Sequence, residues 1–157
     1  MSIERVREYL APLGFADRIR EFDGSSATVE LAAAELGVEG ARIAKSMGFK
    51  RGDGAVVVVT AGDQKINSAK FKAYFGEKAK MLTFDEAHTM LGHDPGGVCP
   101  FALPEGVPVY LDESMRRFDT VFPAAGSSSS AIELTCGELE RCASHFVAWV
   151  DVCKPKE

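Results

Sequence analysis

The sequence predicts a mixed α/β fold of the α+β kind, with helices packed around a mixed, partly antiparallel sheet. Two observations carry this expectation. Apolar runs of strand length interleave irregularly with amphipathic helical stretches, and some consecutive runs are joined by very short turns, which a regular parallel βαβ array does not permit. A third sets the scale: 157 residues without a composition break or repeat fit one domain over residues 1–157.

The elements follow in order. Residues 2–10 alternate charged and apolar positions as an amphipathic helix, which Pro12 and Gly14 end. Residues 19–22 read as a short strand. Ser25, Ser26 and Thr28 offer N-caps for a helix through Ala32-Ala33-Ala34, closed by Gly37. Residues 43–49 and 55–61 read as strands around the turn Arg51-Gly52-Asp53-Gly54, and residues 68–75 as a helix stopped at Gly76. Thr83-Phe84-Asp85-Glu86 has the form of a capping box for a helix to Leu91. Residues 92–106 form a Gly- and Pro-rich loop. Strands are expected at 107–111, 119–122 and 130–135, with a short helix capped by Asp112 or Ser114 after the first. Thr135-Cys136-Gly137-Glu138 opens a helix to Cys142, and residues 147–152 close the chain as a strand.

Composition narrows the function. Hydrophobic residues make up 46% and charged residues 26%, as in an average globular protein. The longest apolar run, Ala55-Val56-Val57-Val58-Val59, suits a buried strand and is far too short for a bilayer. The cysteines at 99, 136, 142 and 153 lack CxxC spacing and are read as free thiols in the cytoplasm. The net charge of −5 opposes a bulk nucleic-acid grip, yet residues 65–80 hold five lysines against Glu77 alone. Such a patch, Lys65, Lys70 and Lys72 foremost, suits contact with phosphates at one place, such as an RNA end; a solvated helix face is the other reading.

Three segments carry candidate chemistry. On the strand Ile43-Ala44-Lys45-Ser46-Met47-Gly48-Phe49, alternation puts Ile43, Lys45, Met47 and Phe49 on one face and only Ala44, Ser46 and Gly48 on the other. Lys45 thus sits in a bulky apolar row, where an ammonium must be paired, snorkel, or lie in a cleft. In Gly96-Gly97-Val98-Cys99-Pro100, paired glycines permit close backbone approach and their N–H groups suit a developing oxyanion. Ser127-Ser128-Ser129-Ser130 offers hydroxyls without a GxSxG elbow. His88, His93 and Cys99, with Asp85 and Asp94 nearby, match no standard zinc spacing, so neither metal nor cofactor is expected.

Together with Gly62-Asp63-Gln64-Lys65-Ile66-Asn67 and Pro123-Ala124-Ala125-Gly126, these segments resemble the YbaK/EbsC family, the aminoacyl-tRNA deacylase domain also found inserted in bacterial prolyl-tRNA synthetases. The resemblance spans about residues 25–153. It implies a mixed, largely antiparallel barrel-like sheet surrounded by helices, and trans-editing of mischarged tRNA(Pro) carrying alanine or cysteine. Its partners would be the acceptor end of that tRNA and an aminoacyl-tRNA synthetase, with neither DNA nor membrane involved. Lys45 matches the family's essential lysine, and Gly96 and Pro100 match the ends of its GxxxP loop, with Gly97 as a further donor. Ile43, Met47 and Phe49 would border the amino-acid pocket, and Ser129 and Glu138 fall near a hydroxyl and an acid of related deacylases. The chain departs from the cysteinyl subgroup in placing Cys99 before Pro100 where that subgroup has serine, and in carrying Ser127 to Ser130 in place of a segment containing arginine. Two rivals stand beside this reading: a catalytically silent binding module of the same fold, and a small-molecule hydrolase using Cys99 or the serine run.

Overall fold

A computed structural model describes residues 2–24, 28–93 and 97–156. The chain order is α1 (Ser2–Leu10), β1 (Ile19–Glu21), α2 (Val29–Leu36), β2 (Ile43–Arg51), β3 (Gly54–Ala61), β4 (Gln64–Ile66), α3 (Ser68–Phe75), α4 (Phe84–Leu91), β5 (Val109–Asp112), β6 (Thr120–Pro123), β7 (Ser130–Ile132), β8 (Leu134–Thr135), α5 (Cys136–Cys142), β9 (Phe146–Val150) and β10 (Cys153–Pro155). Each of α2 to α5 starts at a side-chain cap; those of α2, α4 and α5 were legible in the sequence, whereas Asn67 of α3 was not singled out. Thr28, Asn67, Thr83 and Thr135 accept from backbone N–H groups of the first turn, and the Thr83 and Thr135 caps are reciprocated by Glu86 and Glu138.

Six strands form a curled half-barrel in the order β8-β6-β2-β3-β5-β9. The β2–β3 hairpin is antiparallel from Ala44↔Ala61 to Arg51↔Gly54, and β6–β8 is antiparallel too. β2–β6, β3–β5 and β5–β9 are parallel. Two antiparallel ribbons, β1–β7 and β4–β10, flank the sheet. Burial on both faces explains the unbroken valine run. Val57 and Val59 meet Val6, Leu10 and Leu91 on one side, while Val56 and Val58 meet Phe49, Phe71 and Phe75 on the other.

Two details differ from the sequence reading. Residues 130–135 are not one strand: they divide at Glu133 into β7, which pairs with β1, and β8, which pairs with β6. The β4–β10 ribbon went unforeseen because Gln-Lys-Ile and Cys-Lys-Pro are too short and too polar to show a period.

Candidate active site

Strand β2 is incompletely paired on one edge, and the site is built there. Parallel β6 covers only Ile43 and Ala44. Further along, Gly48 accepts from Leu82 N at 3.0 Å and Lys50 donates to Lys80 O at 2.8 Å. Backbone groups alternate edges along a strand, so those of Ser46, two residues from both Ala44 and Gly48, point into the gap between these partners. The gap opens into a cavity of about 570 Å³. Because it lies at an edge, both faces of β2 contribute: Ala44, Ser46 and Gly48 on one wall, Ile43, Lys45 and Met47 on the other.

The small residues of the first wall make the room. A Cβ at Gly48 would stand 2.8 Å from Leu82 Cδ1 and 2.9 Å from Leu91 Cδ1, so α4 and its approach close tightly over that wall. Ser46 is its one polar side chain, and its buried Oγ has no hydrogen-bond partner among the described residues. A buried hydroxyl left in this state costs about 1–3 kcal/mol, and a ligand that supplies the partner recovers it.

Lys45 lies half-buried on the opposite wall. Its Nζ donates to the Gln64 carbonyl at 3.1 Å, a partner supplied by the β4–β10 ribbon. That partner is neutral, and Lys45 makes no salt bridge among the described residues. Burial, first, and the nearby Lys156 ammonium, second, hold the Lys45 pKa below its ordinary value, against weaker opposing effects of Cys153 and Glu30. Among the described residues lining the cavity, Glu30 is the only carboxylate. The arrangement is an apolar chamber with an ammonium, an unsatisfied hydroxyl and a free strand edge converging on it, suited to a small acyl group with a polar oxygen.

The other sequence candidates fall in different places. Ile43 and Met47 line the cavity, but Phe49 does not: it is 2% exposed, with its ring 4.9 Å from that of Phe71. The odd-numbered row of β2 passes from the cavity into the core before reaching it. Glu138 is likewise elsewhere, closing the α5 capping box and pairing with Arg18 at 2.9 Å. Gly96 lies outside the described residues. Gly97 is buried where a Cβ would meet the Gly126 backbone at 2.9 Å, so two loops touch backbone to backbone; its neighbour Val98 reaches the cavity. Pro100 is buried and its carbonyl accepts from Ser144 N at 2.7 Å. Ser129 stands off the cavity, its carbonyl accepting from Phe22 N, and Ser130 lines it instead.

Lys70 is engaged by Asp151 at 2.9 Å and by the Cys153 carbonyl, Lys72 is exposed on α3, and Lys65 faces Lys154 across the β4–β10 ribbon. The rival nucleophiles fare poorly. Cys99 is fully buried, which pushes its thiol up to about 12, and Ser127 and Ser130 bond one another at 2.8 Å. Among the described residues no cluster of His, Cys, Asp and Glu is placed to hold a metal. Sequence reasoning missed Ser46, Met81, Phe84 and Lys156. Only Ser46 carried a signal, as the lone polar group in its row.

The curled half-barrel matches the fold of trans-editing enzyme structures. A solved structure described as a candidate trans-editing enzyme for prolyl tRNA synthetase superposes with TM-score 0.87 at 27% identity, covering 98% of this chain and 97% of that one. The chain belongs to the aminoacyl-tRNA editing domain family, whose model matches residues 23–142. It is 48% identical over the full length of both chains to YwhH of Bacillus subtilis strain 168, itself described as uncharacterized. A proline–tRNA ligase of the same organism is 33% identical over 57% of this chain, a match that spans only 16% of the ligase.

Proposed function

We propose that this chain is a trans-editing hydrolase that removes a small amino acid, alanine or cysteine, from mischarged tRNA(Pro). Family membership and the trans-editing neighbour support the class of reaction. The observation that carries the mechanism is Lys45, an ammonium without a carboxylate partner among the described residues, in an apolar chamber of about 570 Å³. A prolyl pocket discriminates against a slightly smaller side chain by only about 10–200-fold, so a separate hydrolytic chamber is of use.

In this mechanism the aminoacyl group enters beside Ile43 and Met47, and Lys45 donates to the ester carbonyl or to an adjacent phosphate. Water adds to the carbonyl carbon, and backbone N–H groups around Gly96 and Gly97 stabilise the oxyanion. The bond to the ribose oxygen then breaks, releasing the amino acid and a tRNA with its terminal hydroxyl restored. One such donor is worth about 2.7–4 kcal/mol. Ser46 Oγ, without a partner among the described residues, accepts from the substrate's α-ammonium. The cationic stretch with Lys65 and Lys72 meets the acceptor end, and an aminoacyl-tRNA synthetase supplies the mischarged substrate in the cytoplasm.

The test is a deacylation panel over several charged tRNAs, with Ala-tRNA(Pro) and Cys-tRNA(Pro) among them. Release of amino acid from one of these two, and not from Pro-tRNA(Pro), is expected. Binding of all of them without release would replace the hydrolase with a silent binding module.

A further inference from the structure

The apolar stripe of α4 breaks an expectation at its first residue. Phe84, Ala87 and Leu91 share one helical face, and Ala87 and Leu91 are 8% and 0% exposed, whereas Phe84 is 66% exposed. Met81, three residues before it, is 60% exposed. Both line the mouth of the Lys45 cavity. They are not on a loose loop. Met81 forms a bridge with Phe49, the bonds from Leu82 N and to Lys80 O tie its neighbours to β2, and the Thr83–Glu86 capping box fixes the start of α4. Two large apolar side chains are therefore held in place, in water, at the entrance of the chamber.

We propose that Phe84, with Met81 beside it, is the platform on which the 3′-terminal base of the substrate tRNA stacks. This rests on the deacylase reading and extends it. An ester whose amino acid fills the chamber leaves its ribose at the mouth, with the base within reach of the rim. Charge at the rim favours a polyanion over an apolar protein surface. Lys78 and Lys80 are exposed immediately before Met81, Lys156 lines the mouth with Lys45, and the Glu86 carboxylate is already taken by Lys50 at 2.7 Å. Two exposed acids oppose this, Asp85 in the first turn of α4 and Glu30 on the cavity lining, against the four ammonium groups of Lys45, Lys78, Lys80 and Lys156. Stacking on an aromatic face tolerates any base, so the platform supplies affinity and positioning and leaves the choice of amino acid to the chamber.

The experiment uses an acceptor-stem RNA hairpin carrying alanine on its 3′ end through a non-hydrolysable amide, with 2-aminopurine as the terminal base. Wild type is expected to quench the fluorophore, Phe84→Tyr to retain the quench and Phe84→Ala to lose it. On the hydrolysable alanyl hairpin ending in adenosine, Phe84→Ala raises KM about 10-fold. On a hairpin ending in an abasic ribose, wild type and Phe84→Ala act alike. Equal quenching by wild type and Phe84→Ala, or an equal loss on the abasic substrate, overturns the platform while the deacylase stands. A wild type that hydrolyses no charged hairpin removes the deacylase, and the platform with it.

Discussion

The chamber at the edge of β2 and the groove between β1, β6 and α5 are nearly equal in size, about 570 and about 560 Å³, yet they treat charge in opposite ways. In the groove, Arg18, Arg20, Glu133 and Glu138 are all engaged in ion pairs. Arg18 pairs with Glu138 at 2.9 Å, Arg20 and Arg42 share Glu133 at 3.3 and 3.4 Å, and Thr120 bonds both Arg42 and Glu133. In the chamber, among the described residues, Lys45 has only a carbonyl and Ser46 Oγ has no partner. A closed network holds the fold together, whereas polar groups left incomplete beside apolar walls are ready for a ligand. Volume alone does not separate the two.

That contrast is open to being broken. The largest expected effect is on Lys45→Met, which keeps the stem and removes the charge: amino-acid release falls about 100–1,000-fold, while the thermal midpoint is unchanged or rises. Gly97→Ala comes next. Its Cβ would meet the Gly126 backbone at 2.9 Å, and backbone cannot yield as a side-chain tip does, so stability falls by about 1–3 kcal/mol in urea titration. Release falls with it as the loop shifts. Ser46→Ala should stabilise the free protein by about 1 kcal/mol, since it deletes a buried hydroxyl without a partner, while KM for the charged tRNA rises. Glu138→Ala has the opposite signature: about 1 kcal/mol of stability is lost with the α5 cap, and release is unaffected.

The smallest effect is a pH dependence. Hydrogen bonds from Lys50 and from the Thr83 backbone hold the Glu86 pKa at about 2, below its ordinary 4.5. The ionised form is therefore favoured in the fold. Its stabilising contribution is complete above pH 4.5 and is lost as pH falls through about 2. In thermal scans from pH 6 to pH 2, Glu86→Gln should show a shallower acid fall than wild type.

Much of this was legible in the sequence. The capping threonines, the Gly76 stop and the β2–β3 hairpin were read from local chemistry, because caps and tight turns are decided within a few residues. Lys45 stood out for the same reason, as one charge in an apolar row. Phe49 and Glu138 show where such reading stops. Phe49 shares the Lys45 face of β2, and only the packing of α3 reveals that this face has passed into the core four residues on. Glu138 had a local role as a cap, but its placement in a second groove depends on Arg18, distant in sequence. The exposure of Phe84 was likewise hidden, since the α4 stripe gives no sign of where its cover ends.

In the proposed mechanism the incomplete site, and not the closed one, carries the chemistry. Single-turnover release of alanine from Ala-tRNA(Pro), or of cysteine from Cys-tRNA(Pro) if that is the substrate, by wild type, Lys45→Met and Glu138→Gln measures it directly. Near-complete loss in Lys45→Met beside a wild-type rate in Glu138→Gln is the predicted result. A Lys45→Met protein that releases amino acid at the wild-type rate would contradict it.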